Sequence, residues 1–157
     1  RMGVIDAFES PSRKLLFLSG KKRDILDFCR KHSNHEALRF NTTLVDMARL
    51  LDLLPSVKGV WFAFPNGQLR ASALMGHNLE GTPDFKHYRK HGTISTLSFM
   101  FEMGGTLHPI MITDDGAIVV QGVYRSRSDE LDLALEIKEK LLDSILKTEE
   151  LSGKVRR

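Results

Sequence analysis

The stretch from Thr93 to Val123 constrains the fold more than any other part of the chain. Two turn signals, Gly104-Gly105 and Asp115-Gly116, divide it into the runs Thr93 to Glu102, Thr106 to Thr113 and Ala117 to Val123. The favoured two-residue hairpin turn needs positive φ at its central positions, which Gly, Asn and Asp adopt most readily. Within the first run, Leu97, Phe99 and Phe101 alternate with Thr96, Ser98 and Met100, and a period of two sends the two sets to opposite faces of a sheet. The three runs predict an antiparallel meander with one buried face. A third signal, Asn66-Gly67, separates Val60 to Phe64 from Leu69 to Met75 and predicts a further hairpin closed by a two-residue turn.

Helical spacing surrounds these strands. Leu15 to Leu18 reads as a short buried strand that stops at Ser19-Gly20, and Lys21 to His32 follows as an amphipathic helix. After a polar connection at Ser33, Asn34 and His35, Thr42 or Thr43 is the expected cap of a second helix. Its stripe is Leu44, Met47, Ala48, Leu51 and Leu54; Asp46 stands near its N-terminus and Pro55 ends it. Ser126 or Ser128, followed by Asp129-Glu130, starts a long C-terminal helix that Gly153 is expected to end. The predicted fold is α+β: a single domain with an antiparallel sheet, three hairpin turns and helices mainly on one face. Its expected limits are an N-terminal arm over 1–13, the domain over 14–153 and a basic tail over 154–157.

At 157 residues, with 41% hydrophobic and 27% charged side chains, the chain can bury a core without help, so its size demands no cofactor. Its apolar runs are too short to span a bilayer, and the single Cys29 cannot form an internal disulfide. An intracellular protein, of cytoplasm or nucleus, with no membrane partner is the expectation. Cys29, between Phe28 and Arg30 on a predicted helix, reads as a small half-buried thiol. A net charge of +3 admits nucleic acid or another acidic partner. The local clusters are Lys21-Lys22-Arg23, His87-Tyr88-Arg89-Lys90-His91, Arg125-Ser126-Arg127 and the tail Lys154 to Arg157.

Catalytic patterns are sparse. Asp84, His87 and His91 would share one face of a helix, a spacing that allows a metal site without compelling one. Asp114-Asp115 precedes a turn glycine, where Asp is expected for backbone reasons. No nucleophile, base and orienter set stands out, so no enzyme is predicted.

From Thr93 onward, "PIMITDDGAIVVQGVYRSRSDELDLALEIKEKLL" resembles one repeat of the TATA-box-binding protein core, with Gly116, Val119, Val120 and Gly122 in corresponding places. The resemblance implies a sheet face turned away from the helices that contacts a duplex minor groove, with Met111, Thr113, Val119 and Gln121 on it. Lys21, Lys22, Arg23, Arg89, Lys90, Arg125 and Arg127 would then meet phosphates. The family's wedge phenylalanines are replaced by Thr113 and, nearby, by Thr96. The order of helix, hairpin, three further strands and final helix also resembles roadblock or PAS-type modules, which bind a small ligand or dimerise. That resemblance implies Trp61, Phe62, Phe64, Phe99 and Phe101 as core or pocket lining. The expected function is a non-catalytic binding or regulatory module whose partner is nucleic acid, another protein or a second copy. Exposed apolar residues on the second sheet face would favour association, and basic residues flanking it would favour nucleic acid.

Overall fold

The computed structural model describes residues 5–10, 15–32, 43–122, 124 and 126–148. Arg125, Gly153, the connection at Ser33, Asn34 and His35, and the tail 154–157 lie outside the described residues. The chain divides into two compact units, residues 1–41 and 42–157.

In the first unit, β1 (Asp6–Ser10) pairs antiparallel with β2 (Leu15–Ser19), Phe8 lying opposite Phe17. Residues expected as part of an arm thus form a strand, which gives the backbone groups along one edge of β2 their partners. Helix α1 (Lys22–His32) follows directly, with the Phe28 and His32 rings one turn apart at 4.6 Å.

The second unit contains a sheet of five strands in the order β5-β4-β6-β7-β8: β4 (Gly59–Ala63), β5 (Ala71–Met75), β6 (Thr93–Met103), β7 (Thr106–Thr113) and β8 (Ile118–Val120). All of its pairings are antiparallel. The predicted meander is β6-β7-β8, with Thr106–Thr113 at the expected limits. Gly104 and Gly105 form the two-residue turn between the Met103 and Thr106 pair, with φ of 60° and 78°. That conformation suits glycine because a Cβ there would crowd the neighbouring carbonyl.

The Asn66-Gly67 hairpin forms in a different way. β4 and β5 do pair, but their last partners are Ala63 and Ala71, and the Phe64 N–H donates to the Arg70 carbonyl at 2.9 Å, leaving a longer connection. Neither Asn66 nor Gly67 has positive φ. A two-residue turn there would make Pro65 and Gln68 the closing pair, and Pro65 has no N–H to donate.

Three helices lie on one side of this sheet: α2 (Met47–Leu53), α3 (Pro83–His91) and α4 (Arg127–Ile137), the last continued by a π-helical turn through Leu142. Their buried side chains, Leu50, Leu51, Phe85, Leu133 and Ile137, meet Val60, Phe62, Leu97, Phe99, Ile110 and Ile112 from the inward sheet face. Phe62 is fully buried; the Phe85 ring meets it edge-on at 5.6 Å, and Tyr88 packs at 5.6 Å. Ser126 caps α4, accepting from Asp129 N–H at 3.2 Å.

Two expectations are corrected at the helix ends. Asp46, not Thr42 or Thr43, caps α2, accepting from Arg49 N–H at 3.2 Å. Thr43–Val45 is instead a strand, β3, paired with β9 (Leu146–Thr148), and the C-terminal helix therefore stops well before Gly153. Val45 is buried, and its N–H donates to the Asp114 carbonyl at 2.9 Å. No helix among the described residues is long and apolar enough to cross a membrane.

Candidate functional site

Strand alternation turns Ala71, Ala73 and Met75 of β5, Gly59, Trp61 and Ala63 of β4, and Thr96, Ser98, Met100 and Glu102 of β6 away from the helices. Leu107, Pro109, Met111 and Thr113 of β7 and Val119 of β8 join them. These residues line a sheet face left open to solvent. Met75 is 67% exposed, Leu107 60%, Val119 42% and Met100 38%. Among the described strand residues of this face, Glu102 is the one Asp, Glu, Lys or Arg.

A bulge between β4 and β6 sits beside the middle of the face: the register shifts between Trp61 and Phe62, and the Ser95 hydroxyl donates to the Trp61 carbonyl at 3.3 Å. The Trp61 indole reaches over Gly59 with the Cζ3 and Cη2 atoms of its six-membered ring. A Cβ built on Gly59 would come 2.8 Å from the indole Cζ3 and 3.5 Å from the Ser98 Cβ. The absence of a side chain at Gly59 therefore leaves the space that the ring occupies.

The core behind this sheet contains no buried polar side chain among the described residues. Phe62, Phe64, Phe99 and Phe101 fill it. Trp61, expected to share that lining, belongs to the opposite face because its parity along β4 differs from that of Val60 and Phe62. The strand period carried that information, and grouping the aromatics together concealed it.

The residues expected to contact nucleic acid separate into two sets. Met111, Thr113 and Val119 come together on the open face, and Gln121 joins them just past β8, where its Nε2 donates to the Met111 Sδ at 3.1 Å. Thr113 is also tied into the turn, donating to the Asp115 carboxylate and accepting from Ala117 N–H at 3.1 Å. Of the expected cations, Arg89 and Lys90 do not join them. Arg89 and Lys90 are exposed on α3, whose Phe85 and Tyr88 pack on the inward face, so they stand in the helical layer behind the sheet. Arg127 is in the exposed first turn of α4, and Lys21, Lys22 and Arg23 belong to the unit 1–41.

His87 and His91 bring their rings within 4.7 Å on α3, but no group of three His, Cys, Asp or Glu among the described residues could hold a metal ion. Cys29 is half-buried, and burial raises its thiol pKa above the ordinary value against a smaller lowering by a backbone hydrogen bond. A hollow of about 290 Å³ beside Pro55, Val57, Asn78 and Leu79 lies open to solvent. No protein-family model, curated protein or solved structure matches the chain.

Proposed function

We propose that residues 42–157 form a non-catalytic association module that binds an apolar protein surface through the open sheet face. The observation that carries this reading is the composition of the face: five strands present Trp61, Met75, Met100, Leu107, Pro109, Met111 and Val119 around small residues, with Glu102 as the single charge. A contiguous apolar surface of this kind marks an interaction site in a soluble domain. A minor-groove surface needs cations at its margins to neutralise phosphates, and the described cations of α3 lie behind the sheet.

Trp61 is the only tryptophan in the chain, so its fluorescence reports directly on the face. The test titrates immobilised protein, at low density, with peptides selected from a random library, and in parallel with A·T-rich duplex DNA at two salt concentrations. Selected peptides should be apolar, shift Trp61 emission and lose binding to a Met111→Lys variant. Duplex that shifts Trp61 emission with steep salt dependence, while peptides bind the variant unchanged, would overturn the reading in favour of nucleic acid.

A further inference from the structure

We infer that the outer edge of β5 takes an extended segment of a partner protein as an added strand of the sheet, the segment carrying large apolar side chains at alternate positions. This goes beyond the association reading above. It assigns a second surface, which works through backbone groups.

Two hydrogen bonds fix which backbone groups lie on that edge. The Gly76 N–H donates to the Lys58 carbonyl at 3.0 Å, and the Phe64 N–H to the Arg70 carbonyl at 2.9 Å. Both fall on the register that sets Gly59 opposite Met75 and Ala63 opposite Ala71. Hydrogen-bonded and non-bonded pairs alternate along an antiparallel ladder, so Arg70, Ser72, Leu74 and Gly76 turn their backbone groups toward β4. Ala71, Ala73 and Met75 turn theirs outward. All of them are exposed, and among the described residues no backbone hydrogen bond outside the ladder takes up their N–H or C=O groups.

Sheets commonly blunt an open edge with lysine, proline, a bulge or a strand too short to pair. The opposite edge, at β8, fits that pattern. The Thr113 N–H donates to the Ala117 carbonyl and the Gln121 N–H to the Pro109 carbonyl, so within β8 the outward residues are Ile118 and Val120. Gly122, with φ of 143°, then turns the chain. Strand β5 has none of these devices: Ala71–Met75 contains no charged residue and no proline, and its register against β4 is unbroken. It is the edge left open to pairing.

The side chains choose the occupant. A strand laid on this edge sets the residues opposite Ala71, Ala73 and Met75 on the open face. Ala73 lies beside Trp61, and its methyl group and that of Ala71 stand low, which leaves room above them for bulky side chains of the newcomer. A second copy does not supply these. Pairing β5 with itself through all its outward residues sets Ala73 against Ala73 and Ala71 against Met75, alanine on alanine at the centre. A partner strand with large apolar residues there satisfies the same backbone groups and buries more apolar surface.

The test selects peptides from a random library on immobilised full-length protein at low density and measures their binding to wild type and Ala73→Pro. The N–H of residue 73 makes no bond to β4, so proline removes an outward donor and leaves the ladder intact. The expected result is a class of peptides, alternating in apolar character, that binds Ala73→Pro at least about tenfold more weakly. Such a peptide is then N-methylated at every second residue. Methyl groups on the amides that face β5 should abolish binding to the wild type, and methyl groups on the intervening amides should leave it.

Matching thermal unfolding shows that Ala73→Pro keeps the fold; where it does not match, the methylated peptides decide alone. Selected peptides that all bind Ala73→Pro as well as wild type, or that respond alike to both methylation patterns, overturn the edge. Their loss on Met111→Lys then leaves the association reading standing. Peptides lost on Ala73→Pro and kept by Met111→Lys support the edge independently of the face. Selection of no peptide overturns both. A wild-type dimer, seen by sedimentation, that Ala73→Pro dissolves overturns the partner protein in favour of a second copy.

Discussion

Gly59 and Trp61 show how one missing side chain sets the character of a surface. The indole occupies the space where a Cβ would stand, at a separation of 2.8 Å that real contacts do not reach. Gly59→Val should therefore lift the ring off the face, which steady-state emission and acrylamide quenching of Trp61 would both register. A variant with unchanged quenching would show that the ring does not depend on that space. Elsewhere, Cys29 tests the effect of partial burial. Its raised pKa means that the folded chain holds the thiol proton more tightly than the unfolded chain does. The stabilisation this provides is complete below the unfolded thiol value and is lost as pH rises through the folded one. Near pH 8, alkylation of Cys29 should accordingly be slower in the native protein than in urea, as mass spectrometry of the labelled thiol can follow.

The elements were legible in proportion to how local their causes are. Gly104-Gly105 and the alternation of Leu97, Phe99 and Phe101 specify a hairpin with nothing but neighbours, and the structure follows them closely. Asn66-Gly67 misled because the deciding residue is Pro65, whose missing donor excludes the tight turn that the dipeptide favours. β3 and β9 were hidden for a different reason: three-residue strands at opposite ends of a unit show no period, and only their pairing makes them strands. The face residues Met111, Thr113 and Val119 were readable from strand parity, whereas the distance of the cations from them depends on how α3 docks. Helix ends offer a direct test at this scale. Asp46→Ala and Ser126→Ala each remove an acceptor for a backbone N–H in the first turn of a helix. Each should cost about 1 kcal/mol by chemical denaturation, and changes close to zero would mean that water replaces the caps without loss.

At the scale of the molecule, every fully buried hydrophobic side chain among the described residues lies between Val45 and Ile145. The principal unfolding transition should thus belong to residues 42–157. Circular dichroism of that segment alone should show it within a few degrees of the full chain, and its disappearance would place essential contacts in 1–41. The same core makes Phe62→Ala severe, since deleting a ring with no exposure leaves a cavity between β4 and α3 and should cost about 3–5 kcal/mol.

The pairing of β3 with β9 also bears on how the sheet unit can be connected to other polypeptide. Its first and last strands run side by side, Thr43 opposite Thr148, so the backbone arrives and departs at neighbouring points. A unit tethered in this way can be carried within a surface loop of a host protein without prising the loop apart. It can also be rewired, with a short linker joining the ends of β3 and β9 and new termini opened at Gly104-Gly105.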